Sequence, residues 1–260
     1  MKAALWAETL KPVASAVGRV GAIALVGGIS ALSGAMLLAA GSGNPQLIAK
    51  LGPAATADWH GFLAGAAQIT AAGGLLGFGV VLGWMFGREF GEGTVTGLFA
   101  LPVRRSTIAA AKLHVFGGWA ITASAALIGT LLVVGLAAGL GPVPDWAAIG
   151  RQFFLTVMTA GLAAPVAWAA TAGRSVLAGV STAIGIVVIA QVSVLAGAGG
   201  WMPFAAPALW AISAGQDVSA LQLALLAPVV TAVSALTMFA WKRLQLDRRD
   251  LVAGTWSGQV

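Results

Sequence analysis

Along this chain, apolar residues gather into long runs and polar residues into short breaks between them. The runs fall at about 20–40, 59–86, 106–140, 153–171, 176–196 and 220–241. Each is near or beyond the ~20 residues that a helix needs to cross bilayer hydrocarbon. The pattern therefore predicts an all-α integral membrane protein with six transmembrane helices in a single domain over residues 1–260. The second run is long enough to tilt. Its Gly61/Gly65, Gly73/Gly77 and Gly79/Gly83 pairs have the spacing that lets membrane helices approach closely, although a chain with 36 glycines yields some such pairs by chance. Pro165 predicts a kink inside the fourth span, and Pro228 falls in the outer part of the sixth.

The breaks carry patterns of their own. In residues 1–18, Trp6, Leu10, Val13 and Val17 recur at i, i+4, i+7 and i+11. That is one helical face, and it predicts an amphipathic helix lying in the interface. The apolar run after it starts near Gly21, well past Lys2, Glu8, Lys11 and Arg19, so the first span is expected to be retained and not cleaved as a signal peptide. Residues 197–219 are apolar yet broken by Pro203, Pro207 and a glycine cluster. They predict two short half-helices that re-enter from the outer side, where surrounding protein or water must satisfy the backbone. Residues 242–260 form a charged tail.

The most ordered break is REFGEGTVTGLFALPVRRSTIAAAK, Arg88 to Lys112. A short helix over Glu92–Ala100 would carry Val95, Leu98 and Phe99 on one apolar edge. Glu89 and Glu92 at or before its first turn would complement the helix dipole, and Thr94 would satisfy early backbone donors. Pro102 cannot continue the helix. Arg104 and Arg105 then fall at the lipid headgroups, with Ser106 a cap for the third span. Two readings fit this region, 88–105: a re-entry turn held by charge at the interface, or a surface where another protein docks.

Composition narrows the class. Hydrophobic residues make up 59% of the chain and charged residues 8%, with a mean hydropathy of +0.93. Soluble domains carry roughly 25% charged residues, so the bilayer is the solvent here, and no block is left over for a soluble domain. The net charge of +6 comes from basic residues at the ends of apolar runs, which argues for topology and against nucleic-acid binding. With both termini cytoplasmic, twelve of the fourteen Lys and Arg residues, all but Lys50 and Arg151, lie on the cytoplasmic side. This follows the positive-inside rule. There is no cysteine, which excludes disulfides and thiolate metal sites. Tyr is absent as well, leaving Trp as the aromatic interface anchor.

No catalytic, cofactor or metal site is expected. The chain has no G-x-x-x-x-G-K-[ST] phosphate loop, no HExxH and no paired histidines; His60 and His114 read as packing or interfacial residues. All eight acids, Glu8, Asp58, Glu89, Glu92, Asp145, Asp217, Asp247 and Asp250, fall in loops or tails with the spans so placed. Ion-coupled carriers place ionisable groups inside the bundle, so a proton-driven carrier is disfavoured, while sodium held by backbone groups stays open. Energy for transport is then expected from outside the chain.

Glu89, Phe90, Gly93, Thr94, Leu98, Pro102, Val103, Arg105, Ile108 and Lys112 fit E-F-x-x-G-T-x-x-x-L-x-x-x-P-V-x-R-x-x-I-x-x-x-K. This resembles the signature of ABC-2 type transporter permeases, at the expected place between the second and third of six spans. The start Ala7-Glu8-Thr9-Leu10-Lys11 is similar to that family's interfacial entry helix. The segment with Pro203 and Pro207 resembles its outer re-entrant hairpin, and Arg248-Arg249-Asp250 in the tail is a weaker similarity. The resemblance implies a dimer of permeases, homodimer or heterodimer, with two copies of a separate ABC ATPase subunit that carry the ATP and Mg. It further implies that the short helix docks in a cleft on the ATPase, which assigns docking or coupling to Glu89, Phe90, Glu92, Gly93, Thr94, Leu98, Pro102, Arg104 and Arg105. Arg104 departs from the pattern, standing where many relatives have a small polar residue. The expected function is the permease subunit of an ATP-driven exporter, not itself an enzyme, in the lipid of a bacterial cell membrane. Ten Trp and ten Phe suit an apolar or amphipathic substrate taken from the cytoplasm or inner leaflet. The competing readings are an ATP-independent secondary carrier and a membrane scaffold without transport.

Overall fold

The computed structural model describes residues 16–51, 56–100, 102–143 and 145–245. The interfacial helix expected over 1–18 and most of the 242–260 tail therefore lie outside the described residues. Within them the chain forms helices α1 (Ala16–Gly41), α2 (Pro45–Leu51), α3 (Trp59–Gly91), α4 (Val95–Phe99), α5 (Arg105–Ala137), α6 (Trp146–Ala172), α7 (Val176–Leu195), α8 (Ala206–Ile212) and α9 (Ala220–Arg243). A 3₁₀ turn at Gly199–Trp201 precedes α8. The described residues contain no strand. Six helices, α1, α3, α5, α6, α7 and α9, are long and apolar enough to cross a membrane.

The spans match the apolar runs in number and place; their ends differ. α1 begins at Ala16, and α5 ends at Ala137 instead of near Leu140. The larger difference is at α3, which continues past Phe86 to Gly91 and so takes in Arg88 and Glu89. Nothing in that segment breaks a helix until Gly93, whose φ of +68° turns the chain and is adopted without cost only by glycine. This corrects the expectation that every acid lies in a loop or tail: Glu89 sits in the last turns of a membrane-length helix and is 2% exposed. The case against an ion-coupled carrier loses that premise.

Helix α3 is the centre of the bundle. Phe78, Leu82 and Phe86 on it are fully buried, and it packs against α7, α6 and α1. Its close contact with α7 uses Gly79, Gly83 and Gly87, three glycines one turn apart. A Cβ on Gly79 would come 2.6 Å from the Cβ of Ala183, and one on Gly87 would come 2.5 Å from the backbone nitrogen of Val176. Gly179 on α7 faces Gly83, where an added Cβ would lie 2.9 Å from the Gly83 Cα. The two backbones meet with almost no side chain between them, which small residues alone permit.

Irregularities in the spans have local causes. In α3, residues Thr70–Gly74 form a π-helical turn. There the Thr70 hydroxyl donates to the Ala66 carbonyl at 2.7 Å and accepts from the Gln152 amide of α6 at 3.0 Å, so a buried polar side chain is satisfied where the ladder loosens. α6 breaks after Leu162 and resumes at Ala164 with Pro165 in the new first turn, as expected from the missing N–H of proline. α9 opens with a capping box between Ser219 and Gln222 and shifts at Leu225, three residues before Pro228. α8 packs against the first halves of α3 and α6, at the end of the bundle opposite α4. The outer surface is apolar too: Ile23, Leu38, Leu177, Val192 and Leu195 are all exposed. A soluble monomer does not display apolar area on this scale.

Candidate functional site

The site grows from the two helix ends that flank α4. At the end of α3, Glu89 turns inward, and two turns into α5, Lys112 turns toward it. Lys112 Nζ lies 2.7 Å from Glu89 Oε1 and also donates to the Met85 carbonyl at 2.9 Å; the two side chains are 1% and 3% exposed. The ammonium is 5.8 Å from the Phe86 ring centroid and 5.7 Å from that of Trp241, on aromatic faces that attract a cation. Trp241, near the end of α9, donates its indole N–H to Thr171 Oγ1 of α6 at 3.0 Å. Phe86 and Phe90 meet the Trp241 ring edge-on at 5.9 and 6.4 Å. One buried cluster thus ties α3, α5, α6 and α9 together. Desolvation makes such a pair of little net value, but removing one member leaves a buried charge and costs about 3–5 kcal/mol.

On this base lies α4. Val95 is buried against Phe90 and Leu244, with Phe99 packed partly over them. Arg105, the first residue of α5, stacks its guanidinium 3.8 Å from the Phe99 ring centroid and donates to the Leu244 carbonyl. Arg174, in the turn between α6 and α7 with a positive φ of 49°, donates to the next carbonyl, that of Gln245, at 2.7 Å. Two arginines, one opening α5 and one in the α6–α7 turn, therefore fasten the chain just beyond α9 beside the short helix.

Residues 66–193, running from within α3 to within α7, match the family model described as ABC-2 family transporter protein. This segment, just under half of the chain, is similar to the ABC-2 transporter family. The matched segment contains α4 and both members of the Glu89–Lys112 pair. Comparison with curated proteins and with solved structures gives no match. ABC-2 proteins are the membrane components of transporters, are not themselves catalytic, and generally work with an ABC ATPase.

In this chain the nine residues singled out from the motif region divide in two. Glu89, Phe90 and Gly93 are buried, Leu98 and Arg105 are half-buried, and Glu92, Thr94, Pro102 and Arg104 are exposed. The short helix is shorter than expected, Val95–Phe99 instead of Glu92–Ala100. Thr94 makes no side-chain cap; the Thr96 hydroxyl donates to the Gly93 carbonyl at 2.9 Å instead. Ser106 does not cap α5 either, because the helix already begins at Arg105 with Arg104 in the cap position. Lys112 was visible as a motif position, but its part in the site was not. A lysine two turns inside an apolar run needs a partner, and that is the signal that could have found it. Trp241 and Thr171 gave no such sign, because their meeting depends on how α6 and α9 pack.

Ionisable groups elsewhere are scattered. His114 Nδ1 lies 2.7 Å from the Ala110 carbonyl on an exposed face, while His60 lines a small pocket at the other end with Asp145, Arg151 and Gln152. Among the described residues no three His, Cys, Asp or Glu side chains gather as metal ligands would. Asp58 caps α3 at that other end: its carboxylate accepts from the Gly61 N–H at 2.8 Å and the Thr56 hydroxyl at 2.7 Å. These bonds, the Gly61 amide first, hold it below the usual carboxylate range.

Proposed function

We propose that this chain is the permease subunit of an ATP-driven ABC exporter, with both termini cytoplasmic in a bacterial cell membrane. Its α4 acts as the coupling helix that a separate ATPase grips. The observation that carries this is the seating of α4: its root is buried on the Glu89–Lys112–Trp241 cluster, while Glu92, Thr94, Gly97, Pro102 and Arg104 stay exposed. A short helix held rigidly on one side and open on the other suits the passage of force from a partner into α3 and α5, the two spans it joins. Two permeases, as homodimer or heterodimer, would sit on two ATPase copies, with ATP and Mg held there. Residues 197–219 would re-enter from the outer side, where α8 contacts α3 and α6. The apolar span surfaces suit an apolar or amphipathic substrate moved out of the cytoplasm or inner leaflet.

The test uses inverted membrane vesicles holding the full chain with its partner ATPase and a fluorescent amphipathic dye. ATP-dependent dye uptake is expected. Gly97→Trp should abolish uptake and ATPase co-purification while leaving the permease folded, because no atom lies within 4 Å of a Cβ placed there. Uptake that continues without the ATPase would overturn the reading in favour of a secondary carrier.

A further inference from the structure

Three cations converge where α4 meets the bundle. Arg104, Arg105 and Lys242 line an open pocket of about 680 Å³ with Phe99, Val103 and Ser106, and among the described residues no acidic side chain lines it. Arg105 is engaged with Leu244 and Phe99. Arg104 and Lys242 are exposed and have no ion-pair partner among the described residues. The 33-residue helix α5 starts here without a side-chain cap, so its first amides add to the positive field.

The position of the pocket distinguishes among anions. Arg105 opens one membrane-length helix and Lys242 closes another, which places the pocket at the depth of lipid headgroups. Phe99 and Val103 give the pocket an apolar wall, and Phe239, one turn before Lys242 on α9, is exposed beside it with the Arg243 guanidinium 4.3 Å from its ring centroid. A soluble anion has no use for that surface, and neither does an acidic side chain of another protein. A phospholipid uses both. We propose that this pocket binds the phosphate of an anionic phospholipid, seated between α4, α5 and α9. Because Arg105 also stacks on Phe99, the bound headgroup lies against the coupling helix, and leaflet charge becomes an input to coupling. The proposal rests on the membrane and coupling-helix reading above, but its test reads lipid retention and needs neither ATPase nor transport, so the two can fail separately.

In the test, the purified full chain in detergent is equilibrated with equal amounts of phosphatidylglycerol and phosphatidylcholine, and retained lipid is counted by native mass spectrometry. Each basic residue near a headgroup is worth roughly fivefold in binding. The wild-type chain should therefore prefer phosphatidylglycerol by about twentyfold, and Arg104→Gln/Lys242→Gln should bring the preference near parity. Arg19→Gln/Lys50→Gln, which removes the same charge from exposed positions outside the pocket, should keep it. If the first double variant aggregates, Lys242→Gln alone is read, with a loss of about fivefold expected. No preference in the wild-type chain overturns the proposal. So does an equal loss in both double variants, which would mean diffuse attraction, or no loss in either, which would leave these cations to the ATPase. Displacement of the lipid by glycerol 3-phosphate at matched concentration would make the site one for a soluble phosphate and overturns it too.

Discussion

Lys112 is held at four places, by the Glu89 carboxylate, the Met85 carbonyl and two aromatic rings. Each is lost if the lysine is shortened or neutralised. Lys112→Met leaves Glu89 buried without its counter-ion and should cost about 3–5 kcal/mol, measured as a lower Tm or loss of monodisperse protein in detergent. Glu89→Leu combined with Lys112→Met should recover most of that loss, since apolar residues in place of both members of a buried pair are often close to neutral. Single variants as stable as the unaltered chain would show that the pair holds nothing. At the far end of α3, Asp58→Ala removes an N-cap worth about 1 kcal/mol. The carboxyl of Asp58 is lowered on folding from its ordinary value of 3.8. At pH near that value the unfolded chain binds more protons than the folded one, so stability rises with pH there. The contribution is complete above the ordinary value and is lost as pH falls through the folded one; acid unfolding of Asp58→Ala should therefore show a weaker pH dependence than that of the unaltered chain. At this scale the sequence shows which residues form the motif but not which way they face. A glutamate at the end of an apolar run reads as interfacial, and only the packing of α3 on α5 brings it to a lysine 23 positions later.

Helices are where the pattern of apolar runs is most informative and their ends where it is least. All six spans are legible because the bilayer leaves the backbone no alternative to a helix. The last turns of α3 are not, because Arg88 and Glu89 look like loop residues until Glu89 has its partner. The glycine pairs in α3 show the same limit. Their spacing marks three places, yet helix backbone meets helix backbone where Gly83 and Gly87 face α7, whereas Gly65 and Gly77 meet only the side chains of Met36 and Leu25, and nothing lies near the Cβ position of Gly129 in α5. Gly83→Leu should push α3 from α7 and destabilise the bundle by about 1–3 kcal/mol or more, whereas Gly129→Ala should be neutral or stabilise by up to about 1 kcal/mol. Thermal unfolding of the two purified variants, side by side, checks this. Equal stability would show that the glycine row is incidental.

Taken whole, the molecule gathers its buried Glu89–Lys112 pair and two arginine–carbonyl contacts at one end, around α4, with the more exposed Asp145–Arg151 pair at the other, and leaves the sides of the bundle apolar. The charge asymmetry that sets this end apart is visible in the sequence as a count of Lys and Arg. The convergence of Arg105 and Arg174 on residues 244 and 245 is not, since the two arginines stand 139 and 71 positions from their targets.

That convergence matters to anyone who alters the C-terminus. Leu244 packs with Phe90 and Val95, so the chain leaves residue 245 next to α4. A bulky reporter inserted directly after residue 245 would crowd the surface on which the partner is proposed to dock. The same geometry favours a deliberate fusion. An ATPase joined after residue 245 through a flexible linker would be delivered beside its proposed docking helix at an effective concentration near the millimolar range, and a weakly associating pair of subunits could then be purified as one polypeptide.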